Sequence, residues 1–197
     1  LGPAYSGVAS RKRPELRTKL TKNHMLDLPL ITSNMDTITE EAMACAMASL
    51  GGLGILHRFM SVDEQVRQVR GIKAFIQQHL AFSKDYYPVA ASIGVKEEGM
   101  RRADALVAAG VTILTIDIAH GDSIMMFETL DYVKKNYPKV DVIVGNVATP
   151  SGTQRMIDGG ADAVKVGIGP GSMCTTRIIT GCGVPQLTAI ALCAEVA

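Results

Sequence analysis

The stretch "VIVGNVATPSGTQRMIDGGADAVKVGIG", Val142–Gly169, contains a complete strand–helix–strand unit. Its two apolar runs, Val142–Val147 and Ala163–Ile168, are mostly continuous rather than alternating, which is typical of parallel strands covered on both faces. The helix predicted between them, Pro150–Asp158, begins with a proline suited to a first turn and ends at a pair of glycines. This stretch therefore predicts a β-α-β unit of a parallel sheet.

The same pattern recurs along the rest of the chain. Four more strands are predicted, at Leu28–Ser33, Leu53–His57, Val89–Gly94 and Ile113–Ile118. Five more helices are predicted, at Glu40–Leu50, Val62–Gln78, Glu97–Ala109, Ser123–Asn136 and from about Pro185 onward. Thr37 and Thr39 are candidate N-caps of the first helix, and Gly110 is a candidate C-cap. Repeated β-α units predict either a doubly wound sheet or a (β/α)₈ barrel.

The ends of the strands favour the barrel. No G-x-G-x-x-G follows the first strand, which weakens the dinucleotide-binding doubly wound fold. Polar or glycine-rich segments follow nearly every strand: Ser33-Asn34, His57-Arg58, Asp117, Asn146 and the loop after Ile168. Functional groups at the carboxyl ends of many strands are typical of TIM barrels. The sequence predicts one incomplete TIM-barrel catalytic domain over residues 1–197, with about the first six of eight units.

Composition limits the class of protein. The 197 residues are 47% hydrophobic and 20% charged, with a net charge of +1, as in an ordinary soluble domain. This balance gives no reason to expect nucleic acid or membrane as a partner. No apolar run approaches the roughly 20 residues of a membrane span, and no signal peptide is visible. We therefore expect a cytoplasmic protein.

The four cysteines fall into different settings. Cys45 and Cys193 lie in apolar helical stretches and are expected in the core, whereas Cys182 is expected in a loop. Their scattered spacing, without C-x-x-C, argues against a zinc site or a disulfide framework. Cys174 instead follows a predicted strand in "GIGPGSMCTTR". This loop is either a structural turn or a backbone that holds an anion or a cation and presents a thiolate activated by Arg177.

Three other polar residues have equally open interpretations. Asp117 ends an apolar strand, so its carboxylate binds either a ligand hydroxyl or a neighbouring backbone amide. His120 is interpreted mainly as polar packing in a turn, with acid–base chemistry as the alternative. Asn146 either offers its amide to a ligand or fixes its loop.

Several segments carry a resemblance to a known family. "VKVGIGPGSMCTTRIITGCGVPQLTAI" resembles the active-site loop of the IMP dehydrogenase/GMP reductase family. "LPLITSNMDTITE", "GGLGILHRFMSVDEQ" and "TIDIAHGDS…VIVGNVAT" fall in the order of that family, so the resemblance covers essentially the whole chain. It implies a (β/α)₈ barrel in a homotetramer. It also implies that the residues completing the site follow Ala197.

The resemblance assigns roles to individual residues. Cys174 matches the nucleophile that attacks C2 of the purine, and Thr176 matches the threonine that assists it. The positions that match the nucleotide pocket and its phosphate loop are Ser33, Met35, Asn146, Gly171 and Ser172.

The remaining assignments concern the cofactor and a metal ion. Asp117 and Ala119 match the nicotinamide-ribose side of the dinucleotide site. The backbone carbonyls of Gly169, Gly171 and Cys174 match the monovalent-cation loop of the dehydrogenases in this family, which implies K⁺.

Two sequence features favour a GMP reductase, which converts GMP to IMP and ammonia with NADPH. Residues 66–94 leave no room for the CBS regulatory modules that most dehydrogenases insert there. Ile118 and Ala119 stand where dehydrogenases usually have serines. The alternative is an IMP dehydrogenase that oxidises IMP to XMP with NAD, which "GGLGILHRFMSVDEQ" resembles more closely. A third alternative is an inactive barrel that only binds nucleotides or another protein.

Overall fold

A computed structural model describes residues 2–80 and 87–197 of the chain. Six parallel strands form one sheet that is curled into a half-barrel, in the order β3-β4-β5-β6-β7-β8, and a two-stranded antiparallel hairpin, β1-β2, precedes it. The strands are β1 Thr18–Lys19, β2 Met25–Leu26, β3 Ile31–Thr32, β4 Leu53–Leu56, β5 Ala90–Ile93, β6 Ile113–Asp117, β7 Asp141–Val147 and β8 Ala163–Val166. This confirms the α/β class and the partial TIM barrel.

Helices connect the strands in the predicted alternation. They are α1 Glu41–Ser49, α2 Val62–His79, α3 Lys96–Ala109, α4 Ile124–Asn136, α5 Pro150–Asp158, α6 Thr176–Thr180 and α7 Gln186–Ala194. Gly110 is in the left-handed conformation at the end of α3, as predicted, and Thr149 caps α5 through the N–H of Gly152. In the part of the chain that the structure describes, no helix is both long and apolar enough to cross a membrane.

The start of α1 differs from the prediction. Its N-cap is Glu40, whose side chain makes no capping bond, so the assignment of Thr37 and Thr39 as caps is wrong. Thr37 has φ of 61°, and the hydroxyl of Thr39 donates to the carbonyl of Ser33 at 2.6 Å. The two threonines therefore shape the loop after β3. Strand β3 is much shorter than the predicted Leu28–Ser33, since it begins three residues later, at Ile31, and ends one residue earlier, at Thr32.

Side-chain alternation along the strands separates two cores. In β6, Leu114 and Ile116 pack against the helices, whereas Ile113 belongs to a smaller inner cluster with residues from β2, β4, β5 and β7. Because successive strand residues point to opposite faces, Asp117 lies on the same inner face as Ile113, at the carboxyl end of β6. The inner face is thus apolar at one end and polar at the other, where a site can form.

The β1-β2 hairpin, which the sequence analysis missed, covers the amino-terminal end of the half-barrel. Leu26 is buried in the inner cluster. The buried carboxylate of Asp141, the first residue of β7, accepts bonds from the hydroxyl of Thr21 and from both the backbone and side-chain amides of Asn23, at 3.0 and 2.7 Å. His24 Nδ1 lies 3.0 Å from the same carboxylate. One carboxylate therefore fixes the hairpin to the sheet.

We expect Asp141→Asn to lower the free energy of unfolding by about 1–3 kcal/mol at pH 7, because an amide cannot accept all of these bonds. Burial raises the pKa of Asp141, but the bonds from Thr21, Asn23 and His24 outweigh it and lower that pKa overall. The stabilisation is therefore complete above the ordinary carboxyl pKa of about 4 and is lost as the pH falls through the lowered value.

Urea unfolding across this pH range measures the effect. The difference between wild type and variant should shrink as the carboxylate becomes protonated. The control is Asp131→Asn, which removes an exposed partner of Lys135 and should change stability by less than about 1 kcal/mol. Equal effects of the two variants would contradict the anchoring role of Asp141.

Candidate active site

A cavity of about 650 Å³ lies at the carboxyl ends of the strands. Its walls come from the loop after β3, the ends of β6 and β7, β8, and the glycine-rich loop that follows β8. The residues that line it are Ser33, Asn34, Met35, Asp117, Asn146, Lys165, Val166, Gly167, Gly169, Pro170, Gly171, Ser172, Met173 and Cys174. The parallel register places these segments at one edge, where TIM barrels hold their functional groups.

The carboxylate of Asp117 organises one wall of this cavity. Its Oδ2 accepts a hydrogen bond from Asn34 Nδ2 at 2.6 Å, and its Oδ1 accepts bonds from Asn146 Nδ2 at 3.0 Å and Lys165 Nζ at 3.2 Å. A carboxylate offers about four lone-pair positions, so one on Oδ2 is left for a ligand donor. The Asp117 side chain is 21% exposed, which leaves this position within reach of the cavity.

The loop after β8 depends on glycine at two positions. Gly167 and Gly169 have φ of 132° and 58°, a region that side chains rarely adopt. A Cβ on Gly169 would lie 3.0 Å from Cβ of Thr176 and 3.5 Å from Sγ of Cys174. Both glycines therefore allow the chain to turn back tightly and bring Cys174 to the cavity.

Cys174 has the environment of a reactive thiol. It is exposed, its amide donates to the carbonyl of Gly171 at 3.0 Å, and its Sγ donates to Oγ1 of Thr176 at 3.2 Å. Hydrogen bonds with the side chain and backbone of Thr176, and then the charge of Arg177, lower the pKa of the thiol despite some desolvation. A larger thiolate fraction at neutral pH is what a cysteine nucleophile requires.

Most of the predicted site residues come together at this cavity. Those that line it are Ser33, Met35, Asp117, Asn146, Gly169, Gly171, Ser172 and Cys174. Thr176 contacts the cavity indirectly, through the thiol of Cys174. Ala119 is exposed two residues beyond Asp117 and does not line the cavity.

Sequence reasoning missed Lys165 and did not assign a role to Asn34. The signal for Lys165 was its place in β8, two residues before Gly167, on the strand face that points into the half-barrel. Its partner across the sheet is Gly145, where a Cβ would lie 2.7 Å from Cβ of Lys165. That glycine gives the lysine room to extend toward Asp117.

Another polar cluster lies beside the loop after β3. His57 Nε2 is 3.5 Å from Glu40 Oε1 and 3.7 Å from Asp36 Oδ1, and the histidine side chain is only 2% exposed. Its Nδ1 accepts the backbone N–H of Phe59 at 3.1 Å, so the ring proton belongs on Nε2. A metal-ligating histidine usually donates from its second nitrogen, so this arrangement fits a bridge between β4 and the loop rather than a metal centre.

Fold and site together define a half-barrel of the TIM type with a cysteine-containing cavity at the carboxyl ends of its strands. The family model described as "IMP dehydrogenase / GMP reductase domain" matches residues 1–197. The chain belongs to that family.

The curated proteins similar to this chain include IMP dehydrogenases and a GMP reductase. An inosine-5'-monophosphate dehydrogenase of Cryptosporidium parvum is 44% identical over 230 positions that include all of this chain and 56% of the relative. A dehydrogenase of Borreliella burgdorferi is 38% identical, over 89% of this chain and 53% of the relative. A GMP reductase of Leishmania donovani is 30% identical over 320 positions, with 99% of this chain and 65% of the relative. The chain thus spans about half the length of the first two relatives.

We expect iodoacetamide to alkylate Cys174 with a pH midpoint below about 8.5, the usual value for a cysteine thiol. Because the lowered pKa arises first from Thr176, Thr176→Val should move that midpoint upward. Peptide mass spectrometry of samples quenched over time measures the rate at Cys174, and the exposed Cys182 in the same sample controls for reagent and exposure. A midpoint that does not respond to Thr176→Val would contradict the role of this hydrogen bond.

Proposed function

We propose that the chain supplies the cysteine half of the active site of an IMP dehydrogenase, which oxidises IMP to XMP with NAD. One observation carries the proposal: an exposed thiol on a glycine-rich loop, hydrogen-bonded to Thr176, lines the same cavity as Asp117 and Asn146. A covalent bond between this thiol and purine C2 divides one difficult substitution into two easier steps.

The residues of this chain perform the covalent chemistry. The thiolate of Cys174 adds to C2 of IMP, and a carbon–sulfur bond forms as the ring nitrogen takes the electron pair. Hydride then leaves C2, and NAD, when bound, would supply the nicotinamide that accepts it. Water next adds to C2, the carbon–sulfur bond breaks, and Cys174 returns as a thiolate while XMP is released with loss of a proton. Thr176, which already bonds Sγ, stabilises the thiolate at the start and at the end.

The other cavity residues fit a nucleotide. A volume of about 650 Å³ lies within the usual range for small-molecule sites, roughly 300–1,000 Å³. Gly171 and Ser172 are exposed on the loop after β8. Among the described residues other than its two chain neighbours, no atom lies within 4 Å of a Cβ built on Gly171, so the backbone is open to a phosphate. In this proposal Ser33, Met35 and Asn146 surround the nucleoside.

Asp117 fits a role toward the dinucleotide. Three donors already hold its carboxylate in place, and the free lone pair on Oδ2 can accept a ribose hydroxyl. Ala119 lies nearby in sequence and is exposed, so in this proposal it borders the dinucleotide rather than binding it through a polar group.

The backbone carbonyls of the loop leave lone pairs for a monovalent cation. The carbonyl of Gly171 accepts the amide of Cys174, which leaves it one lone pair for a cation. Carbonyls of Gly169 and Cys174 would supply further oxygens. The K⁺ site, like the homotetramer and the cytoplasmic location, stays a prediction.

The relatives favour the dehydrogenase over the reductase that the sequence features favoured. The two relatives at 44% and 38% identity are named as dehydrogenases, whereas the reductase compared is 30% identical. The absence of a CBS insert also no longer favours the reductase. All of this chain aligns with the Cryptosporidium dehydrogenase in 230 positions, whereas the alignment with the Leishmania reductase takes 320. This dehydrogenase therefore aligns with far fewer additional positions than this reductase, so the lack of a long insert does not favour a reductase.

The second candidate is a GMP reductase. Ile118 and Ala119, in place of the serines usual in dehydrogenases, favour it. In that reaction the thiolate of Cys174 also adds to C2, but ammonia leaves, and NADPH delivers hydride to give IMP. The two candidates therefore share Cys174 and Thr176 and differ in the nucleotide and the cofactor.

We expect the protein, at its full natural length, to reduce NAD at 340 nm when supplied with IMP and to form XMP. Oxidation of NADPH with GMP, with release of ammonia, would instead assign the reductase. Nucleotide binding without either reaction would support an inactive barrel.

We expect Cys174→Ala to lower turnover by more than about a hundredfold while changing nucleotide affinity by less than about threefold, because the nucleophile is lost and the pocket is kept. Cys182→Ala is the matched control, since Cys182 is also exposed but lies outside the residues that line the cavity. Turnover of Cys174→Ala within tenfold of wild type would sink the assignment of the nucleophile.

A further inference from the structure

One arginine side chain joins the two ends of the loop that carries Cys174. Nε of Arg177 donates to the carbonyl of Ile168 at 3.0 Å, and Nη2 of the same side chain donates to the carbonyl of Val184. These two residues flank residues 169–183, the cysteine loop. Because a planar guanidinium makes both bonds from one rigid fork, it fixes the separation of the two ends.

The sequence makes space for this arginine. A Cβ on Gly183 would lie 2.6 Å from Nε of Arg177 and 2.7 Å from its Cδ. Gly183 does not have the positive φ that marks Gly167, Gly169 and Gly181. Glycine is therefore needed at position 183 for the room that the arginine occupies, not for the backbone conformation.

Other hydrogen bonds of the cysteine loop are mostly internal. Cys174 N–H bonds to Gly171, Gly181 N–H to Arg177, and the Thr180 hydroxyl to Thr176. Most of the loop is exposed, and Arg177 is among its few partly buried residues. Internal bonds shape turns but do not fix the loop between its ends. The two bonds of the guanidinium join those ends directly, and just outside them Gln186 Nε2 donates to the carbonyl of Val166 at 2.9 Å.

The arginine is also next to the thiol. A Cβ on Gly169 would lie 3.4 Å from Cγ of Arg177 and 3.5 Å from Sγ of Cys174, so both side chains pack at one glycine. Thr176, which bonds Sγ, directly precedes Arg177 in α6. Arg177 itself is not among the residues that line the cavity.

We propose that Arg177 is a positioning residue that closes the cysteine loop by bridging Ile168 and Val184 and thereby sets the place of Cys174 in the cavity. The effect on turnover rests on the proposed function, but the closure of the loop does not. Besides its charge, Arg177 acts on the nucleophile through the backbone, and in this proposal it makes no contact with the nucleotide.

The test compares wild type with Arg177→Lys and Gly183→Ala at full natural length. Lysine keeps the charge but has no fork to reach both carbonyls, and the added Cβ at 183 displaces the arginine without removing it. Arg101→Lys is the control, because Arg101 is an exposed arginine on α3. Circular dichroism checks that each variant is folded.

We expect amide hydrogen exchange in peptides covering 169–183 to become about tenfold faster in both variants, as the loss of one or two hydrogen bonds implies, with no change in Arg101→Lys. We expect kcat to fall by about tenfold or more while KM for the nucleotide stays within about threefold. A third variant, Arg177→Ala, removes the guanidinium altogether. Guanidinium chloride at millimolar concentration should restore part of its turnover, since the free ion can occupy the vacated site.

Three results would overturn the proposal: unchanged exchange in both variants, faster exchange with unchanged kcat, or a rise in KM at constant kcat, which would mean that the arginine binds substrate. If wild type acts on neither nucleotide, the proposed function fails, and the exchange measurement still decides whether Arg177 closes the loop.

Discussion

The carboxylate of Asp117 is the interaction on which the site depends. Its donors come from three other segments: Asn34 after β3, Asn146 in β7 and Lys165 in β8. A partly buried carboxylate at the end of an apolar strand requires such partners, because an unsatisfied buried charge is costly. In satisfying it, the protein holds four strand ends at fixed separations, and the cavity is the space between them and the cysteine loop. Loss of this carboxylate would therefore loosen the walls of the cavity as well as remove one ligand group.

The cysteine loop is an exposed segment, and other interactions hold it in one conformation. Gly167 and Gly169 supply backbone angles that other residues rarely adopt, and Gly183 supplies room for the Arg177 stem. Gln186, at the start of α7, donates to the carbonyl of Val166 at 2.9 Å, next to Gly167, and so fixes the strand side of the loop. Glycine at these positions thus combines with two long polar side chains, Arg177 in the loop and Gln186 after it, which bond backbone carbonyls. Rigidity comes from these bonds, since little apolar surface is buried here.

Much of the fold could be predicted from the sequence, because parallel strands and their helices leave strong local patterns. β4 to β8 and α1 to α5 lie within one or two residues of their predicted bounds. The elements that were missed depend on tertiary contacts. The hairpin β1-β2 has only two residues per strand and is held to the sheet by the burial of Leu26 and by the bonds to Asp141. Helix α6 is a single short turn within the cysteine loop. In the site, strand ends identified Asp117 and Asn146. Lys165 was hidden in an apolar run, because its role depends on Gly145 in the neighbouring strand.

The division of the site also explains why family and reaction are separable questions. Cys174 and Thr176, to which we assign the covalent chemistry in our proposal, lie on the cysteine loop, whereas Asp117 ends β6 and Ala119 follows it. Addition of a thiolate to C2 is common to both candidate reactions, so the loop supports the family without choosing between them. The choice depends on how the hydride donor or acceptor is bound and on whether water or ammonia is exchanged at C2. Ala119 informs only one of these contacts, since it is exposed and lies outside the cavity. Identity of 44% over the whole chain rests on many positions rather than one, and for that reason it outweighs a single position in favouring the dehydrogenase.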